Sequence, residues 1–234
     1  MLKTTNLHAG YGRIPILNGV DLDVSGGEVL GILGHNGMGK TTLIKALMGF
    51  IETTRGTIEF EGNDITRTVP NKRARAGFGY VPQGRDIFPR MTVKDNLLFA
   101  IAASGEKSKT KIDEILDQFQ RLIPLLDREG GTLSGGEQQI LAIARCLCGE
   151  PKLMFLDEPT EGIQPSIIEQ IVELLGELQK ESQLTIVLVE QNLDFVSSLS
   201  DRVALIQKGK IVSELSPSQL GEAKILDEFI GLRQ

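Results

Sequence analysis

Two short segments of the chain are apolar almost without a break, "KLMFL" ahead of Asp157 and "TIVLV" ahead of Glu190. Runs of this kind are what strands look like when a parallel sheet buries both of their faces. "GEVLGILG" is a third apolar strand, and it runs into a Gly-rich turn. Between the strands lie segments whose apolar residues recur at helical spacing: "KTTLIKALMGF", with Gly49 near its end, and "SIIEQIVELLGELQKE". "GTIEFEG" alternates instead, as an exposed strand does, and closes on a Gly turn. Strand and helix in alternation predict an α/β fold around a parallel sheet.

From about Asp86 to Leu141 the rhythm changes. "TVKDNLLFAIAA" carries a threonine N-cap signal, "SGEKSKTK" is a polar loop, and "KIDEILDQFQRLIPLL" is amphipathic over a helical period. This predicts a helical insertion into the α/β core. At 234 residues the chain is long for one average domain and short for two. We therefore expect a single domain, with residues 1–85 and 142–234 as core and 86–141 as the insertion.

Composition narrows the picture in a few places. The chain carries 25 Lys+Arg against 31 Asp+Glu, a net charge of -6, which argues against a nucleic-acid partner. "MLKTTNLHAGYG" at the start has no apolar signal segment. The apolar runs fall far short of the roughly 20 residues that span a bilayer. A soluble chain is expected, meeting any membrane through a partner. Cys146 and Cys148 lie two apart in a predicted helix and point to different sides, which makes a mutual disulfide unfavourable. They read as small buried side chains in a reducing compartment, and with His8 and His35 the only histidines no zinc site is expected. The one local charge asymmetry, Arg67, Lys72, Arg73, Arg75, Arg85 and Arg90, reads as a solvated face.

The chemistry concentrates at the ends of the apolar runs. "GHNGMGKT", Gly34 to Thr41, fits the phosphate loop G-x-x-x-x-G-K-[ST] between a predicted strand and a predicted helix. Gly34, Gly37 and Gly39 allow the backbone to curl so that N–H groups face phosphates at a helix N-terminus. His35, Asn36 and Met38 complete the loop, Lys40 reaches the β and γ oxygens, and Thr41, followed by Thr42, offers a hydroxyl to Mg²⁺. Asp157 ends its strand where an acid would face that metal. Strand alternation sends Glu158 elsewhere, towards an attacking water, as suits a general base. The simpler alternative has both acids capping the helix that follows Pro159.

"LSGGEQQ", Leu133 to Gln139, changes the weight of these motifs. With the phosphate loop upstream and "LMFLDEP" downstream, the chain resembles an ATP-binding-cassette (ABC) ATPase subunit from end to end. The resemblance implies a P-loop NTPase core with an antiparallel β subdomain and a helical subdomain. It implies ATP and Mg²⁺ as ligands. It also implies a head-to-tail dimer in which Ser134, Gly135, Gly136 and Glu137 complete the γ-phosphate pocket of the other subunit. Tyr11 matches the aromatic that stacks on adenine. Gln83 matches the glutamine that contacts Mg²⁺ and links the site to the helical subdomain, which in transporters docks onto a membrane subunit.

Two positions depart from the common pattern. The usual Asp after the catalytic acid is Gln164, and the usual switch histidine is Gln191. Glutamine can donate to a γ-phosphate but carries no charge. "VEQN", "YVPQGRDIFPRMTV" and "DEPTEGIQPSII" resemble the ATPases of branched-chain amino-acid importers, and "PQGR-IFPR" with "PTEGIQPS" most resembles the urea-transport branch. Such importers use two different ATPases, of which this chain resembles the shorter, two membrane subunits and an external binding protein. Urea is then the expected cargo, branched-chain amino acids the alternative, and the cytoplasmic face of the cell membrane the expected place.

Overall fold

The computed structural model describes residues 1–105 and 110–221. A tight turn at Gly12–Arg13 joins β1 (Leu2–Tyr11) to β2 (Ile14–Val24), and β3 (Val29–Leu33) follows. The phosphate loop leads into α1 (Lys40–Leu47), and then come β4 (Thr53–Phe60), β5 (Asn63–Asp64), α2 (Pro70–Arg75) and β6 (Phe78–Val81). The helical stretch holds α3 (Val93–Ser104), α4 (Lys111–Gln118) and α5 (Gly135–Leu147). The chain then alternates through β7 (Leu153–Asp157), α6 (Pro165–Ser182), β8 (Thr185–Glu190) and α7 (Leu193–Leu199), ending on β9 (Arg202–Gln207) and β10 (Lys210–Leu215).

The strands make two sheets. One is antiparallel in the order β2-β1-β4-β5, and the other runs β10-β9-β3-β8-β7-β6, parallel except for the β10–β9 pair. The apolar runs are explained by two cores, one on each face of the second sheet. Ile186 and Leu188 of β8 and Met154 and Leu156 of β7 pack among the helices α3, α5, α6 and α7. Val187, Val189, Leu153 and Phe155 face the other way, into a core shared with α1 and the antiparallel sheet. With both faces buried, neither strand has room for a polar alternate.

Local signals behave as expected at α3, where Thr92 Oγ1 accepts from the Asp95 N–H at 3.0 Å and Gly105 ends the helix at φ 84°. The predicted helix over "KIDEILDQFQRLIPLL" divides: α4 stops at Gln118, and a 3₁₀ turn over Gln120–Leu125 follows. Pro124 has no N–H to give and its ring crowds the carbonyl four residues back, so an α-helix cannot run through. Half of the expected polar loop "SGEKSKTK", residues 106–109, lies outside the described residues. Residue 141 falls in the middle of α5, so one helix belongs to both insertion and core.

The basic cluster is not a single solvated face. Arg67 is exposed and pairs with Glu52 at 2.6 Å. Arg73, by contrast, is 2% exposed and spends its guanidinium on five backbone carbonyls: Ala46 and Leu47 at the end of α1, and Ile65, Thr66 and Thr68. Desolvation lowers its pKa to about 10. Carbonyls left over at a helix C-terminus carry partial negative charge, and a buried cation is held there by dipoles. Arg73 thereby ties the antiparallel region to the helix that bears Lys40 and Thr41.

Candidate functional site

Four adjacent strands deliver the candidate residues to one edge. In the order β3-β8-β7-β6, Leu33 lies opposite Glu190, Val189 opposite Asp157, and Leu156 opposite Val81. The segments that leave these strand ends carry Gly34 to Thr41, Gln191, Glu158 and Gln83. Ligands of open α/β sheets bind outside the carboxyl ends of the strands.

The phosphate loop is shaped by what its glycines permit. A Cβ on Gly34 would stand 2.6 Å from Ile206 Cγ2 and 2.8 Å from its carbonyl oxygen, so only glycine lets the loop leave β3 beside β9. Gly39 precedes α1 at φ 104°, a conformation other residues avoid, and no side chain caps the helix there. The N–H groups that begin α1 stay available to an anion. Met38 is turned inward: its N–H goes to the His35 carbonyl at 3.3 Å, and its sulfur accepts from the Lys208 N–H at 3.4 Å. Asn36, Gly37, Gly39, Lys40, Thr41 and Thr42 line a cleft of about 320 Å³ with Gln83, Glu158 and Ile16.

Asp157 is 1% exposed; one carboxylate oxygen accepts from Thr41 Oγ1 at 2.9 Å and the other from the Tyr80 hydroxyl at 3.2 Å. Burial raises its pKa, against the pull of those two hydrogen bonds. Burial and the Asp157 carboxylate raise that of Tyr80, so the phenol stays a donor. A carboxylate and a hydroxyl this close are the hard oxygen donors that Mg²⁺ takes.

Glu158 does not follow strand alternation. β7 ends at Asp157, and Glu158 takes φ 48°, in the left-handed region that costs a non-glycine residue roughly 1–2 kcal/mol. The turn swings its carboxylate back over the phosphate loop, where it pairs with Lys40 Nζ at 2.9 Å. Lys40 also donates to the carbonyls of Gly34 at 2.7 Å and His35 at 3.1 Å. The Gln83 amide reaches Glu158 at 3.5 Å and Glu161 at 3.0 Å. The two acids do not cap the next helix, since α6 starts at Pro165 with Gln164 at its N-cap and no side-chain cap bond.

Other expected residues stand apart from the cleft. Ser134 and Glu137 satisfy each other in a capping box at the start of α5: the Ser134 N–H reaches Glu137 Oε2 at 2.7 Å, and the Glu137 N–H reaches Ser134 Oγ at 3.3 Å. A Cβ on Gly136 would meet Ile167 at 2.7 Å, so this glycine lets α5 pack on α6. None of Ser134 to Glu137 lines the cleft around Lys40. Tyr11 is exposed at the end of β1, and Gln191 is exposed just after β8.

Sequence reasoning missed Tyr80, Ile16, Glu161 and Glu190. Period-two counting along "FGYV" puts Tyr80 on the face of Phe78, a signal that was there to read. The other three emerge only when segments distant in sequence are brought together.

The comparisons with known proteins agree with this geometry. A family model described as "ABC transporter" matches residues 17–161. The chain is 36% identical over 233 residues to the high-affinity branched-chain amino acid transport ATP-binding protein BraG of Pseudomonas aeruginosa, covering 99% of this chain and 100% of that one. It is 36% identical over 223 residues to a probable branched-chain amino acid transport ATP-binding protein LivF of Archaeoglobus fulgidus, covering 95% and 94%. The crystal structure of an ATP-binding cassette of an ABC transporter in its ADP conformation superposes with a TM-score of 0.88 at 30% identity, covering 99% and 98%. This chain belongs to the ABC transporter family and is an ATP-binding cassette ATPase.

Proposed function

From that membership we propose that the chain is the ATP-hydrolysing subunit of an importer, and that its cargo is urea. The observation that carries hydrolysis is the convergence of Lys40, Thr41 and Glu158 on one cleft, with Asp157 hydrogen-bonded to Thr41 behind it. Phosphoryl transfer is mostly positioning and charge stabilisation. The N–H groups of Gly37 and Gly39, those that begin α1, and the Lys40 ammonium hold the phosphates. Thr41 and Asp157, with Gln83, would hold Mg²⁺, which would supply charge neutralisation for the phosphates. Glu158 parts from Lys40 as the phosphates take over the ammonium, and its freed carboxylate accepts the proton of the attacking water. Gln191 donates a neutral hydrogen bond at the γ-phosphate, and Tyr11 stacks on adenine.

The same reading gives the chain its partners. Ser134 to Glu137 lie away from the chain's own cleft and serve the cleft of a second ATPase subunit, identical or not, in a head-to-tail dimer. A membrane subunit docks on the helical region, where Phe99 and Leu98 are exposed and Phe88 meets Phe99 edge-on with ring centroids 4.8 Å apart. An external binding protein delivers cargo to that membrane subunit. Through that membrane subunit the chain would sit peripherally on the cytoplasmic face; among the described residues no helix is long and apolar enough to cross a membrane.

Cargo rests on resemblance, since nothing in the cleft touches it. Urea is supported by the turn Pro159–Ser166 and the segment from Pro82 to Arg90. Branched-chain amino acids are the second reading, favoured by the names of the two relatives. Deleting the gene and following labelled urea and labelled leucine separates them. Loss of urea uptake alone is expected, and loss of leucine uptake alone would replace urea with the second reading.

A further inference from the structure

Glu190 ends β8 and is 1% exposed, a costly place for a carboxylate unless its oxygens are fully served. Four neutral donors serve them. One oxygen accepts the Thr160 N–H at 2.9 Å and the Thr160 hydroxyl at 2.6 Å. The other accepts the N–H groups of Gln191 at 2.8 Å and Asn192 at 3.1 Å. The backbone carbonyl of the same residue takes the Gly34 N–H at 3.2 Å. A single residue thus holds the phosphate loop, the turn that carries Glu158 and Glu161, and the segment that opens with Gln191.

The division of labour within the carboxylate matters. Each oxygen serves one segment, so neither segment can shift without stretching charge-assisted bonds that the other shares. Asn192, which caps α7 by accepting the Phe195 N–H at 3.1 Å, fixes the far side of the Gln191 segment. We propose that Glu190 is a positioning residue that makes the Thr160 turn and the Gln191 segment move as one body. The phosphate-sensing glutamine is then placed by the turn that carries the general base. The inference rests on the roles given above to Glu158 and Gln191. It adds a residue that touches neither nucleotide nor water.

Glu190→Gln tests it, because the amide keeps the shape but has a single acceptor oxygen. Whichever way it turns, its NH₂ faces the N–H donors of one segment, and the other segment keeps bonds only to a neutral oxygen, without charge assistance, so both are loosened. Thr160→Val is the milder companion, removing one donor and leaving the other three. In the assembled transporter, Glu190→Gln should lower kcat about tenfold or more and leave the KM for ATP within about twofold. Combined with Gln191→Ala it should be no slower than the slower single variant. Amide hydrogen exchange on the full chain with ATP and Mg²⁺ should quicken at Thr160, Gln191 and Asn192 together. The proposal is overturned by a wild-type kcat, by rate losses that multiply in the double variant, or by faster exchange on only one of the two segments. A wild-type complex that did not turn over would refute the ATPase reading instead, and the exchange pattern would still decide the role of Glu190. If Glu190→Gln does not fold, the same exchange pattern and a smaller loss of kcat are required of Thr160→Val.

Discussion

Two helix N-termini in this chain carry the motifs for phosphate, and they use their free N–H groups in opposite ways. α1 begins behind Gly39 with no side-chain cap and no acid in its first turn. α5 begins behind Ser134 with a closed capping box and the Glu137 carboxylate in place. The first leaves its donors and its positive dipole end for an incoming anion; the second has already spent part of both on itself. In the cleft a buried lysine and a left-handed glutamate are held against each other, whereas at the α5 end Ser134 is exposed and the capping box is already closed. Affinity for ATP should therefore reside at α1, and α5 should matter only when it meets a nucleotide held by another chain.

The largest effect that could break this contrast belongs to Glu158. Glu158→Gln should cut ATP turnover in the assembled transporter by about 10²–10⁴-fold and leave ATP binding intact. A variant that still turned over at the wild-type rate would remove the general base from the cleft. Next comes Lys40→Ala, which takes away a charged donor and strands Glu158 in a buried position. ATP affinity measured by titration should fall roughly 10- to 150-fold. An unchanged affinity would mean that the loop N–H groups alone hold the phosphates. Ser134→Ala sharpens the other side of the comparison. It should cost about 1 kcal/mol in denaturant melts through the lost cap, with no change in ATP binding by the isolated chain. Weaker binding in that assay would place α5 in the chain's own site.

The smallest effect is one of pH. Burial raises the pKa of Asp157, so ionising it costs more in the fold than in the unfolded chain, and stability falls as pH rises from the usual carboxylate range through the raised value. Mg²⁺ held by Asp157, as proposed, would favour the ionised form and offset that cost. The gain in Tm on adding Mg²⁺ should shrink as the pH is lowered from neutral into the acid range, beginning above the usual carboxylate range. A gain that did not vary with pH would take Asp157 out of the metal site.

What could be read from the sequence follows from which interactions are local. The double-sided strands β7 and β8, the Thr92 cap and the phosphate loop each depend on a few consecutive residues, and each stands where the pattern put it. Arg73 looked like its neighbours Lys72 and Arg75, because nothing in "NKRARA" shows that five carbonyls, two of them from the end of α1, close around it. The direction of Glu158 is set by something that counting along the strand does not show. Alternation holds only while the strand lasts, and β7 gives way to a left-handed turn one residue earlier than counting assumes. Glu190 was invisible because its meaning lies in Thr160, thirty residues away in the chain.

The two cysteines have a practical consequence. Cys146 packs against Gly79 and Cys148 is buried, and burial pushes their thiols up to about 12 and about 11. Alkylating and spin-labelling reagents attack the thiolate, so the folded chain offers them almost nothing at neutral pH. A single cysteine introduced at an exposed position such as Asp194 would be tagged selectively against this quiet background. Probes could then report distances between cassettes during turnover without the natural thiols first being removed.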